Sequence, residues 1–201
     1  KMMSKAFFIF DFIEYFYKKI IKHEKYFILV LILISILMKL GLYFFYDIPQ
    51  PPDARKYINI LEHYREKHGL ETNLELNLSI ILISPYMKLY PAFLYLTGTT
   101  LASIIQVILS SISIYFIFKI TEIITAKLSV SILASILFCF NPFLTYYSLL
   151  MQYETMFIFF FLWAIYNLLT KRLYISYFIF IITIFINPVV EIGIILFIFL
   201  S

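Results

Sequence analysis

The chain has 201 residues, of which 63% are hydrophobic and only 14% charged, and its formal net charge at pH 7 is +4. A soluble domain is about half apolar and about a quarter charged, so a chain of this composition would expose far too much apolar surface in water. We therefore predict an integral membrane protein whose main solvent is lipid. The single cysteine excludes an internal disulfide, and no basic patch interleaved with aromatic residues indicates nucleic-acid binding.

Two elements are predicted before the charged stretch that begins at about residue 47. Residues 1–25 alternate short apolar groups with acids and a lysine cluster, which is typical of a cytoplasmic amphipathic helix lying in the membrane interface. Residues 26–46 form an apolar run long enough to cross the hydrocarbon, which needs about 20 residues. A signal peptide is the competing interpretation, but here a basic cluster precedes a run that is too long for one.

A large first external loop is predicted at about 47–98, where charged residues suddenly appear. Pro51-Pro52 stops the first span, Asp53 is a good helix cap, and Gly69 is a reasonable terminator. Between them apolar side chains recur at helical spacing opposite a charged face. This pattern predicts an amphipathic juxtamembrane helix on the membrane surface, followed by a shorter, proline-broken piece that returns the chain to the membrane.

The rest of the chain predicts five further apolar segments. They lie at about 100–120, 127–141, 150–169, 173–187 and 189–201, and in the third of these the run TMFIFFFLWAIYNLL is lengthened at its start by TYYSLLMQYE. After Pro188 only about 13 residues remain, roughly 20 Å of helix against a hydrocarbon core of about 30 Å, so we expect a longer protein. The predicted fold is all-α: a polytopic membrane helical bundle in which residues 26–201 form one transmembrane module.

The distribution of basic residues predicts the orientation. With a cytoplasmic N-terminus the inner side holds ten basic residues: Lys1, Lys5, Lys18, Lys19, Lys22, Lys25, Lys119, Lys127, Lys171 and Arg172. The outer side then holds five: Arg55, Lys56, Arg65, Lys67 and Lys88. This asymmetry satisfies the positive-inside rule. The membrane is expected to be a bacterial or archaeal plasma membrane, or the endoplasmic reticulum in a eukaryote. Lys39 lies inside the first span.

The order of motifs carries a resemblance to a known family. A long span is followed by PPDARKYI, then by SPYMKLYPAFLYLTG and SIIQVILSSISIYFIFKITE, and later by FCFNPFLTYYSLLMQYETMF and IFINPVVEIGIILF. In this order the chain, from about Tyr26 onward, resembles the N-terminal module of the GT-C membrane glycosyltransferases. The likeness is to the branch of dolichyl-phosphate-mannose protein mannosyltransferases and lipid A aminoarabinose transferases. Some relatives carry an adjacent acidic pair where this chain has one aspartate.

The resemblance implies an enzyme that transfers a sugar from a polyprenyl-phosphate donor to an acceptor on the non-cytoplasmic face. The family's essential acidic residue at the start of the first external loop corresponds to Asp53. The local spacing alone favours a helix cap at this position, and the two roles do not exclude each other. Such a transfer needs a base for the acceptor hydroxyl and cations that offset the charge of the leaving phosphate. The candidates for holding the donor phosphate or lining the site are Arg55, Lys56, Tyr57, Lys88 and Glu154.

Each of these candidates also has a structural explanation, as part of a solvated helix face, a lipid contact or a membrane boundary. No metal site is predicted, because His63 and His68 are five residues apart and do not share a helical face. A divalent metal ion remains an open alternative as cofactor, because a metal can offset the charge of the leaving phosphate. The competing hypothesis is a non-catalytic multi-spanning membrane subunit that shares the fold, whose partners are membrane lipids. A transporter is less favoured, because the helix-breaking prolines lie near the outer boundary and not at the midplane.

Overall fold

The computed structural model describes residues 24–46, 48–52, 55, 59, 89–150 and 152–186. In this part of the chain all regular structure is helical, which confirms the all-α prediction for it. The helices are α1 (Glu24–Phe45), α2 (Leu89–Thr125), α3 (Leu128–Cys139), α4 (Pro142–Leu149), α5 (Glu154–Leu169) and α6 (Leu173–Ile186). The helix predicted for 1–25, apart from its last two residues, and the segment predicted for 189–201 lie outside the described residues.

Two of these helices are long and apolar enough to cross a membrane, namely α1 and the part of α2 from Leu96 to Thr125. α3 and α4 together qualify as a third span with a bend of 49° between them. α5 and α6 are apolar but shorter, with 16 and 14 residues. These helices support the prediction of a membrane protein.

α2 is the helix around which most of the others pack. It contacts α1, α3, α4 and α5, and α6 packs mainly against α5. Successive long helices run in opposite directions, so the end of α1 and the starts of α2 and α5 lie at one end of the structure, here called the Glu154 end. The start of α1, the end of α2 and the end of α5 lie at the opposite end, here called the Glu24 end.

The buried face of α1 is partly polar, whereas its outward face is aliphatic. The buried stripe of α1 includes Ser35 and Lys39, whereas Leu37 is 70% exposed. α3 repeats this pattern, with Ser135 buried and Leu137 exposed. Helices of soluble proteins show the reverse arrangement, whereas helices in lipid pack through small residues because the lipid tails are as apolar as leucine. The buried serines therefore mark the faces through which these helices pack.

Two breaks shape the helices near the Glu154 end. Gly98 has φ 72° and ψ 173°, a conformation open essentially to glycine alone, and it produces a kink in α2. At the start of α4 the side chain of Asn141 accepts hydrogen bonds from the backbone N–H groups of Phe143 and Leu144. Pro142 occupies the first turn, where its missing N–H is not needed. α4 is therefore a capped helix of its own and not a continuation of α3.

The helices differ in two places from the segments predicted by the sequence. α2 extends beyond the predicted 100–120 at both ends. The segment predicted at 150–169 becomes helical only at Glu154, because Leu150 is extended and the Thr155 hydroxyl donates to the carbonyl oxygen of Tyr147 at 3.1 Å. This turn directs α5 away from the axis of α4, so the predicted lengthening of the segment is wrong and its residues up to Leu149 belong to α4.

Candidate functional site

A buried lysine is the most unusual residue of the packed interior. The side chain of Lys39 is only 2% exposed, and its Nζ donates to Ser110 Oγ at 2.7 Å. One turn away, Ser35 Oγ lies 3.0 Å from Ser111 Oγ, so α1 and α2 are joined by two polar contacts in succession. Within the described ranges no carboxylate lies at ion-pair distance from Lys39. An ammonium group is thus held in the interior by a neutral hydroxyl.

Exposed tyrosines show how deep Lys39 lies. Tyr26 and Tyr46, near the two ends of α1, are 69% and 66% exposed. They are about 30 Å apart along the helix, close to the thickness of a hydrocarbon core, and tyrosine is enriched at both membrane interfaces. Lys39 lies about 10 Å along α1 from Tyr46. A charge inside hydrocarbon costs roughly 2.5–3.5 kcal/mol on insertion scales, and such residues commonly mark functional sites.

Ser110 also borders a small cavity between α2, α3, α4 and α5. Its volume is about 10 Å³, which is room for about one water molecule. The lining residues are Ser110, Phe138, Leu144, Tyr147, Thr155 and Ile158. One serine hydroxyl therefore stands between the ammonium group of Lys39 and this cavity.

A second polar cluster lies one turn from Ser110 along α2, towards the Glu154 end. The side chain of Gln106 is fully buried, and its Nε2 donates to Tyr90 Oη at 3.0 Å and to the carbonyl oxygen of Gln152 at 2.7 Å. Because a backbone carbonyl only accepts, this contact fixes the orientation of the Gln106 amide. Neither Gln106 Oε1 nor Gln152 Oε1 receives a hydrogen bond within the described part of the chain. Buried acceptors of this kind are typical of places where water, an ion or a ligand binds.

Glu154, a predicted site residue, is the first residue of α5 and is partly buried. The N-terminus of a helix stabilises a carboxylate, because the unpaired backbone N–H groups there carry partial positive charge. Glu154 follows Gln152 by two residues, so it belongs to the same turn as the Gln106 cluster. The structure thus places this predicted residue two positions after Gln152, whose backbone carbonyl accepts from the buried Gln106 amide.

Arg55, another predicted residue, belongs to the start of the segment predicted to be external. Its backbone N–H donates to the Pro51 carbonyl at 3.0 Å, as in a helical turn, and its Nε donates to the Gln50 carbonyl at 3.0 Å. The side chain of Gln50 in turn reaches the carbonyl oxygen of Leu149 at 3.5 Å. The beginning of the segment predicted to be external therefore lies against the end of α4, close in sequence to Glu154.

The other predicted site residues, Asp53, Lys56, Tyr57 and Lys88, lie outside the described residues, and so does most of the external helix predicted after Asp53. The described residues contain no group of three or more His, Cys, Asp or Glu side chains able to hold a metal ion. No protein-family model matches the chain, and neither a curated protein nor a solved structure matches it.

Sequence reasoning noted Lys39 inside a span but did not make it a site candidate, and it missed Gln106. Spacing was the available signal. Ser35 and Lys39 are four residues apart in one apolar run, and Gln106 and Ser110 are four apart in the next. Residues at this spacing share a helical face, so each pair predicts a polar stripe that must find a partner inside the protein.

Proposed function

We propose that the chain is the transmembrane part of a glycosyltransferase with the GT-C fold. In this proposal it is a polytopic helical bundle that transfers a sugar from a polyprenyl-phosphate donor to an acceptor on the non-cytoplasmic side. The Glu154 end is then the outer end. The order of the sequence motifs supports this proposal, and so do the buried Lys39 and Gln106 side chains near the Glu154 end.

The observation that carries the proposal is the contact between Gln50 and Leu149. It joins the start of the external segment, three residues before Asp53, to the turn that leads into Glu154. These two stretches are separated by about half of the chain, yet they meet at the same end of the helices. A transferase of this kind needs such a meeting point, because a lipid-borne donor and an acceptor must come together at a membrane boundary.

In the proposed reaction Asp53 accepts the proton of the acceptor hydroxyl while its oxygen attacks the anomeric carbon of the sugar. The bond between that carbon and the phosphate oxygen breaks, and polyprenyl phosphate leaves with the electron pair. Arg55, Lys56 and Lys88 are the proposed cations that offset the developing charge on the phosphate. Tyr57 and Glu154 are proposed to line the site. We assign no step to a metal ion.

Two substitutions at Asp53 test the proposal. Asp53→Asn keeps the shape and much of the capping capacity but removes the basicity, so sugar transfer should fall by a factor on the order of 10²–10⁴ with little loss of stability. Asp53→Ala removes the cap as well and should also lower the melting temperature. The measurement is sugar transfer from a polyprenyl-phosphate donor by the full-length protein, alongside thermal unfolding in detergent. If Asp53→Asn transfers sugar as fast as the wild type, Asp53 is only a helix cap.

Glu154→Gln provides a second test of the proposed transferase site, with Glu122→Gln as its matched control. Glu122 lies at the Glu24 end, 2.8 Å from Lys119, so its loss should leave transfer unchanged. Glu154→Gln should lower transfer if this carboxylate lines the site. The alternative function, a non-catalytic membrane subunit, predicts no donor-dependent transfer by the purified protein in any variant.

A further inference from the structure

We propose that Lys39 and Ser110 form an anion-binding subsite inside the helices, for a phosphate group carried on a lipid chain. The nature of that lipid rests on the proposed function, but binding to the subsite requires no sugar transfer. Lys39 is not one of the residues that the motif resemblance supplies, and it lies within α1 instead of the external segment.

The hydrogen-bonding capacity of the pair points to an anion. The ammonium group of Lys39 has three N–H donors, and the described residues offer it one acceptor, Ser110 Oγ at 2.7 Å. Ser110 accepts this bond, and its own O–H donates to no group among the described residues, although its side chain is only 7% exposed. A buried cation and a hydroxyl proton are thus both able to make a further hydrogen bond, and Ser110 is the one of the two that lines the cavity. An anion in the cavity would accept from Ser110 and be attracted by the ammonium group behind it.

The position of the pair favours a phosphate attached to a lipid over a free ion. Lys39 is about 10 Å along α1 from the exposed Tyr46, a depth at which the surroundings of α1 are aliphatic. A free phosphate ion would lose its hydration on reaching this depth. A phosphate at the head of an isoprenoid or alkyl chain brings its own apolar anchor, whose burial offsets part of that cost.

The cavity next to Ser110 indicates where such a phosphate would enter. At about 10 Å³ it is smaller than a phosphate group, so one of its walls must move. Tyr147 on α4 is the most exposed of the wall residues, at 40%, and its ring packs edge-on against Tyr146 with 6.2 Å between the centroids, so its movement would disturb the packing least. Outward rotation of this ring would open the cavity to the lipid on the α4 side and bring the phosphate to the hydroxyl of Ser110.

The test measures binding of farnesyl phosphate to the full-length protein in detergent, as a shift of melting temperature with concentration. The wild type should be stabilised. Lys39→Met should raise the apparent dissociation constant at least tenfold, Ser110→Ala should raise it several-fold, and Lys39→Arg should keep most of the affinity. Without ligand, Lys39→Met should melt no lower than the wild type, since a buried charge is replaced by an apolar side chain of similar length. Lys127→Met, which removes an exposed charge at the Glu24 end, is the matched control.

Three results would overturn the inference: unchanged binding by Lys39→Met, equal weakening by Lys127→Met, or equal stabilisation by farnesol, which lacks the phosphate. Equal stabilisation by inorganic phosphate would contradict the lipid-borne ligand. If Lys39→Met does not fold, the Ser110→Ala variant tests the subsite in its place. Unchanged affinity of that variant for farnesyl phosphate refutes the subsite. Loss of sugar transfer in Asp53→Asn with farnesyl phosphate binding intact would separate the two proposals. Lys39-dependent binding by a protein without transferase activity would support the subsite and reject the enzyme.

Discussion

Lys119 Nζ lies 3.2 Å from the carboxylate of Glu24, so the end of α2 is joined to the first turn of α1. The same ammonium group lies 2.8 Å from Glu122, three residues further along its own helix. The side chains of Lys119 and Glu24 are 24% and 30% exposed, so water and salt reach this network. It contrasts with Lys39, whose ammonium group is buried without a carboxylate among the described residues.

The Lys119 network should contribute little to stability. Because ion pairs that water reaches contribute about 0–1 kcal/mol, we expect Lys119→Met to lower the free energy of unfolding by less than about 1 kcal/mol. The difference from the wild type should shrink further at high salt, which screens exposed charges. Unfolding in detergent at low and high ionic strength measures both effects. A salt-independent loss well above that size would show that this network is a structural requirement.

Ser35→Leu should destabilise the protein, although it makes the first span more apolar. Ser35 is fully buried and faces Ser111 at 3.0 Å, so the larger side chain has no room and should cost about 1–3 kcal/mol. The matched control is Leu37→Ile on the outward face of the same helix, which should be nearly neutral. Thermal unfolding of both variants in detergent compares them. Equal stability of the two would contradict α1 packing through its polar face.

Gly98→Ala should be destabilising by about 1–3 kcal/mol, because an alanine cannot adopt φ 72° and ψ 173° without strain. Gly41 offers a control, since a Cβ added there would meet no atom within 4 Å. Gly41→Ala lies inside α1 and should stabilise by up to about 1 kcal/mol, because alanine favours the helix. Melting temperatures of the two variants should therefore move in opposite directions. A neutral Gly98→Ala would mean that the kink in α2 is dispensable.

Labelling of single cysteines tests the orientation. With Cys139 replaced, an impermeant thiol reagent on intact cells should label Glu66→Cys, in the predicted external loop, and should not label Lys171→Cys. Lys171 lies in the turn after α5, at the Glu24 end, which the lysine distribution predicts to be cytoplasmic. Labelling of Lys171→Cys without labelling of Glu66→Cys would show that the orientation in the membrane is the reverse of the predicted one.

The sequence predicted α1 closely, because a run of apolar residues about 30 Å long has one stable form in lipid, a helix with all its backbone hydrogen bonds internal. It did not predict the break after Leu149. The stretch SLLMQYE contains neither proline nor glycine, and the turn depends on the contact of Thr155 with Tyr147, which exists only after α4 and α5 pack. Local sequence carries no signal for a turn that tertiary contacts produce.

In the candidate site, too, local sequence predicted some features, whereas others depend on how the helices pack. Glu154 was predicted from its position at the start of an apolar run, and the structure places it at the first position of α5, two residues after Gln152. The contacts of Lys39 with Ser110 and of Gln106 with Gln152 join residues 71 and 46 positions apart. Periodicity shows which residues share a face of one helix, but the facing helix depends on how the whole set packs. The proposed role of Asp53 stays a prediction.

The unequal lengths of the helices have a consequence for the surrounding bilayer. The 22 residues of α1 span about 33 Å, whereas the 16 residues of α5 span only about 24 Å. If α5 crosses the same bilayer as α1, one flat bilayer cannot match both helices, so α1 must tilt or the lipid beside α5 must thin, at a fraction of a kcal/mol per ångström of mismatch. In the second case a lipid headgroup beside α5 lies closer to the midplane than one beside α1.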